Sequence, residues 1–286
     1  VPTQKERVSA SRKLLKDPYA HLDDRGEFTA AHDGKSVHDE AFPTLRPKSA
    51  VSYASLRKGV KKGARYSNAE IEQKAIELQK KMWRDKDRIW PGATISDPID
   101  ILDPSVAFKL IGFDYDIAET LGQYFSGGKH VEVAGQIDDT GNQVWISQQF
   151  AHDVRNFTAA HELGHALLHD ARGLHRDRPL DGSAVARDKV EFEADKFATF
   201  FLMPEKLVRA RFASIFCTHQ FYLDEETSFA LTRGKSLNVT ELRSLSRILA
   251  STESYNGIRF RSLASQFGVS VEAMAIRIEE LGLVAY

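Results

Sequence analysis

One cysteine, Cys217, stands in 286 residues. A lone thiol excludes an intramolecular disulfide and any cysteine-based zinc cluster, and it fits a reducing compartment. Its expected place is as a small buried hydrophobe beside Phe216. An excess of either charge is also missing. Thirty-nine Lys and Arg face 40 Asp and Glu, for a formal charge of −1. That balance gives no general reason to expect a nucleic-acid or membrane surface as partner. Long apolar runs are absent too. The longest, Phe197 to Met203, is about seven residues, against the roughly 20 that a membrane span needs. The first residues, Val1 to Glu6, contain no apolar signal region. The expectation is a cytoplasmic protein with no membrane partner.

Acidic residues are absent between Glu40 and Glu70, where Arg46, Lys48, Arg57, Lys58, Lys61, Lys62 and Arg65 accumulate. Residues 1–66 therefore read as a basic, solvated and partly disordered extension. Order is expected from Ser67, which forms a capping box with Glu70. Ile71, Ala75, Leu78 and Met82 then continue a helical stripe that must stop before Pro91. Asp103-Pro104 opens a short helix to Ile111. Strand patterns follow at Phe113–Ile117, His130–Ile137 and Gln143–Gln148. The last two are joined by a turn in which Gly141-Asn142 can take positive φ. The second strand of that hairpin leads into a helix. It is expected to place a sheet edge, able to pair with an extended peptide, above that helix.

That helix carries His161-Glu162-Leu163-Gly164-His165, an HExxH motif. Histidines four apart share one helix face and can bind one Zn²⁺. The intervening Glu162 can reach a water held by the ion and take its proton. Phe157, Ala160, Leu163, Leu167 and Leu168 recur at helical spacing, so the helix has a buried side. Gly164 is a poor helix former, which is consistent with close approach of another element or of a metal.

A catalytic zinc needs a third protein ligand and an open position. His169 lies about 12 Å along the axis from His161, too far for a helical third ligand. The metzincin spacing would need glycine at 168 and histidine at 171, where Leu168 and Ala171 stand. His175 follows in a polar stretch and stays open as a ligand. A second helix, Val190 to Met203, offers Glu191 and Glu193 and ends at Pro204. Glu191 and Asp195 share a face, with Glu193 turned nearly to the opposite side. Glu191 as ligand and Asp195 as acceptor for a ligand histidine N–H form one physical unit. Glu193 is the less favoured choice.

Two segments, Arg155 to His169 and Glu191 to Pro204, resemble the ImmA/IrrE family of metallopeptidases. The resemblance runs over about residues 67–205 and includes the hairpin before the HExxH helix. It implies an α+β, zincin-like fold with a small antiparallel or mixed sheet, related to thermolysin-like enzymes. It also implies His161, His165 and Glu191 as metal ligands and Glu162 as general base. The ion would be Zn²⁺, with Mn²⁺ as the alternative. The implied substrate is a partner protein, a helix-turn-helix repressor whose cleavage releases stress or mobile-element genes. Asp195 stands where asparagine is common in the family. The resemblance does not extend to the first 66 residues or to much of 206–255.

Residues 206–286 read as a helical region, with a helix-turn-helix-like segment at 260–284 and Gly268 in its turn. That segment supplies the rival reading, a DNA-binding or non-catalytic metal-sensing regulator. Only Arg277 is basic between Gly268 and Glu280, which is weak for phosphate contacts. Repressor docking or packing within the chain is the preferred role, so direct DNA binding is not expected. Neither the oligomeric state nor the group that stabilises an oxyanion is legible; His175 and a tyrosine are the candidates named for the latter.

Overall fold

A computed structural model of the chain describes residues 51–57, 66–126, 129–138, 140–169, 174–176, 189–232, 239 and 241–285. Most of the basic extension, residues 1–50 and 58–65, lies outside them. The first helix, α1 (Asn68–Arg84), begins at the expected capping box: Glu70 N–H donates to Ser67 Oγ, and Ser67 N–H donates to Glu70 Oε2 at 2.8 Å. Its stripe of Ile71, Ala75, Leu78 and Met82 is fully buried. One helical turn, Lys86–Ile89, follows before Pro91. The second helix, α2 (Pro104–Ile111), starts with Asp103 Oδ1 accepting from Ser105 N–H at 2.8 Å and ends at Gly112, whose φ of +92° closes the cap.

Order begins earlier than Ser67. Tyr53 is buried, and its hydroxyl donates to Asp85 Oδ2 at 2.8 Å. The Arg57 guanidinium lies 4.3 Å from the centre of the Phe113 ring and donates to Asn142 Oδ1. Residues 51–57 therefore belong to the packed body and not to the extension. One aromatic anchor suffices to fasten a segment that is otherwise polar.

The main sheet has four strands in the order β1 (Asp114–Ala118), β5 (Gln143–Ser147), β4 (Gly135–Asp138), β6 (Leu174–Arg176). β1 runs parallel to β5, and β4 is antiparallel to both β5 and β6, so the sheet is mixed. The expected strand over His130–Ile137 is broken at Val133-Ala134. Its first part, β3 (Lys129–Glu132), pairs with β2 (Gln123–Ser126) in a separate ribbon. Asn142 takes a φ of +49° in the turn between β4 and β5. Both strands of this hairpin are interior, because β6 adds to β4 and β1 to β5. The free edge expected on the hairpin is thus covered on both flanks.

After β5 come α3 (His152–Leu168), then β6, α4 (Lys189–Leu202) and α5 (Glu205–Phe216). α3 and α4 pack along each other, and α1 packs on α4. The content is α+β. Cys217 does not take the expected buried place. It is exposed and caps α5 in the left-handed conformation, φ +56°.

The C-terminal part contains β7 (Phe221–Tyr222), α6 (Glu225–Thr232), α7 (Leu242–Ser251), a small β8–β9 hairpin (Ser254–Tyr255, Ile258–Arg259), α8 (Leu263–Phe267), α9 (Val271–Glu280) and β10 (Val284–Ala285). Gly268 turns α8 into α9 with a φ of +60°. Asn156 of α3 donates to Gly268 O at 2.9 Å. On α9, every residue from Glu272 to Ile278 is buried. Arg243 of α7 pairs with Glu272 and with Glu279, the latter at 2.8 Å. Arg277 Nε donates to Met203 O at 3.0 Å. One continuous apolar core runs from Tyr53 to Val284, so the expected division near residue 205 does not separate two cores.

Candidate metal centre

α3 is built for burial. Every residue from Phe157 to Leu168 is buried, so the helix has no solvent face over its last three turns. His161, Glu162 and His165 are therefore polar groups inside an apolar layer, each 1% exposed or less. Buried polar groups require partners, and each histidine has one on its Nδ1 side. His161 Nδ1 lies 2.8 Å from Asp195 Oδ1. His165 Nδ1 lies 3.1 Å from Nδ1 of His169, the residue that caps α3.

The Nε2 sides converge. His161 Nε2 and His165 Nε2 are 2.9 Å apart, and Glu191 Oε2 lies 3.3 and 3.7 Å from them. Glu191 comes from α4 and is about one-third exposed, so this corner opens to solvent. Among the described residues, these three form a group whose donor atoms lie close enough together to hold a metal ion. Three ligands at about 2.0–2.1 Å from one ion, at tetrahedral angles, stand roughly 3.3 Å apart. The observed separations bracket that value.

A carboxylate can only accept from a neutral imidazole, so His161 Nδ1–H donates to Asp195 and Nε2 is left as a lone pair. This lone pair, the His165 ring and a carboxylate oxygen meet at one point. A divalent cation satisfies such a meeting.

α4 is brought to α3 at Gly164, where the backbones of the two helices touch. That contact sets Glu191 one turn away from Ala194, opposite the two histidines. Glu162 is fully buried beside β4, and a Cβ on Gly135 would lie 3.0 Å from its Oε1. The sheet therefore lies directly on the side chain of Glu162.

His161, His165, Glu191 and Asp195 are thus drawn together, with Glu162 on the same helix. Glu193 is not in the group of three but is also not a surface acid. It is buried, 3.1 Å from His169 Nε2, and its Oε1 accepts from Tyr66 N–H at 3.0 Å. Burial pushes the His169 pKa down, toward the neutral ring, against the pull of Glu193. Sequence reasoning discarded His169 as a ligand and gave it no other role. The signal it held is the repeated four-residue spacing, His161, His165, His169. The side chain of His175 lies outside the described residues; its backbone pairs with Ile137 in β6.

Residues 118–228 match the family model of the IrrE N-terminal-like domain, Peptidase_M78. The match runs from the end of β1 into α6 and takes in α3, α4 and the three candidate ligands. Over this segment the resemblance to the ImmA/IrrE family holds, and it supports a metallopeptidase. No curated protein matches the chain. Among the described residues, no helix is long and apolar enough to cross a membrane.

Proposed function

We propose that this chain is a zinc-dependent endopeptidase that hydrolyses a peptide bond in a partner protein. The observation that carries the reading is the convergence of His161 Nε2, His165 Nε2 and Glu191 Oε2 on one solvent-open point. These three residues hold the ion, with Mn²⁺ as the alternative metal. A divalent metal held there would supply Lewis-acid activation of a water and of the scissile carbonyl. Asp195 orients His161. Glu162 takes the proton of the attacking water and returns it to the leaving amine.

The substrate proposed is a helix-turn-helix repressor, and the consequence is release of stress or mobile-element genes. This part rests on the likeness to the ImmA/IrrE family. The test is co-incubation with the candidate repressor and divalent metal, read by intact-mass analysis. Cleavage at one bond by the wild type and not by E162Q supports the proposal. Cleavage by E162Q at the wild-type rate overturns the assignment of the base.

The rival DNA-binding reading finds little support. α9, the helix that would enter a groove, is buried from Glu272 to Ile278, and its single arginine is spent on Met203 O and Glu280. Base readout requires an exposed helix face.

A further inference from the structure

The two histidines are held by two different devices. His161 has a carboxylate directly on Nδ1. His165 has another histidine there, and that histidine has a carboxylate behind it: His165 Nδ1 to His169 Nδ1 at 3.1 Å, then His169 Nε2 to Glu193 Oε2 at 3.1 Å. The proton positions along this line follow from its end. Glu193 can only accept, so His169 donates from Nε2. A neutral His169 then offers a lone pair at Nδ1, and His165 must donate to it from its own Nδ1. His165 Nε2 is left as a lone pair facing the centre. Glu193 uses both oxygens, because Tyr66 N–H donates to the other at 3.0 Å. Its carboxylate is thereby fixed to the start of α1. Along α4, residues 191, 193 and 195 serve the centre by three routes: as ligand, through His169, and on His161.

We propose that His169 and Glu193 are positioning residues that lock His165 in the tautomer whose Nε2 can ligate a metal. The proposal rests on the metal-site reading above. In water an imidazole is free to exchange tautomers, so without the relay His165 spends part of its time with a proton on the ligand nitrogen. Outer partners of this kind typically contribute 10–100-fold to metal affinity.

The test uses the full chain, free of metal and labelled with ¹⁵N. Long-range ¹H–¹⁵N correlation of the histidine rings reads each tautomer, and the His165 signals are assigned by their loss in H165A. Expected in the wild type is His165 protonated on Nδ1. In H169F the proton moves toward Nε2, and Co²⁺ affinity, read by its visible absorption, falls about 10–100-fold. H169N places an amide oxygen where Nδ1 stood and restores both readouts to near wild type. His165 protonated on Nε2 in the wild type overturns the proposal without any variant, as does an H169F protein unchanged in tautomer and affinity. A wild type that carries the Nδ1 proton yet binds no Co²⁺ overturns the metal reading instead, and with it the role of the relay.

Discussion

Gly164 and Ala194 bring the backbones of α3 and α4 into contact: a Cβ on Gly164 would lie 3.0 Å from both Cα and O of Ala194. The neighbour is main chain and cannot rotate away. Helix propensity alone favours Gly164→Ala by about 1 kcal/mol. Overpacking costs roughly 1–3 kcal/mol, and here it also moves the helix that carries Glu191 and Asp195. G164A is therefore expected to lower the melting temperature and to weaken metal binding. Calorimetry and Co²⁺ titration check both. A more stable G164A with unchanged affinity would show that the contact does not set the site.

Gly135 plays the same part between the sheet and Glu162. A Cβ there would lie 2.7 Å from Thr158 Cγ2 and 3.0 Å from Glu162 Oε1. G135A is expected to displace the Glu162 carboxylate while leaving the ligands in place. On the proposed mechanism kcat falls by at least an order of magnitude and bound metal stays stoichiometric. Adding T158S removes the methyl of the nearer clash, so G135A/T158S should regain part of the loss. Loss of metal in G135A would show that the strain spreads beyond the base.

These two glycines mark the limit of what the sequence makes legible. Helix starts were readable because Ser67, Glu70 and Asp103 satisfy orphan N–H groups locally, within a few residues. The ligand pattern was readable because helical spacing decides which side chains share a face. Long-range relations were not. β6 is three residues in a polar stretch, with no alternation to betray it, yet it turns the hairpin strand β4 into an interior strand. Tyr53 enters the core from a basic segment through one ring and one hydroxyl. Glu193 was read as facing away because a helix wheel has no knowledge of what lies on its far side. There it meets His169 and Tyr66 N–H.

The packing of α9 has a consequence for both stability and partner choice. Arg277 is 4% exposed and donates to Met203 O, at the end of α4. R277A leaves this carbonyl without that donor, at a cost of about 1–3 kcal/mol. Chemical denaturation should show that loss. Binding to duplex DNA, followed by fluorescence anisotropy over a range of salt, should be weak in the wild type and no different in R277A. Tight, steeply salt-dependent binding lost in R277A would restore the regulator reading.

Metal removal should be visible as stability. A ligand present at 100–1,000 times its dissociation constant contributes about 2.7–4.1 kcal/mol. For a body of this size that corresponds to a fall of roughly 5–15 °C in melting temperature on chelation. H161A, H165A and E191A should melt at the same temperature with and without chelator. A shift retained in E191A would move the third ligand to another residue.

Asp195 separates charge from hydrogen bonding at the centre. It is 1% exposed, with Oδ1 2.8 Å from His161 Nδ1. In D195A the His161 ring loses its acceptor, and the tautomer with Nε2 as lone pair loses its support. A loss of about 10–100-fold in metal affinity is expected. D195N keeps an oxygen acceptor but no charge. An amide accepts from N–H with roughly half the strength of a carboxylate, so the ring stays oriented while the ligand nitrogen becomes less electron-rich. D195N should therefore fall only a few-fold in Co²⁺ affinity and keep the wild-type absorption spectrum. If D195N lost affinity as fully as D195A, the charge and not the hydrogen-bond geometry would be what Asp195 contributes.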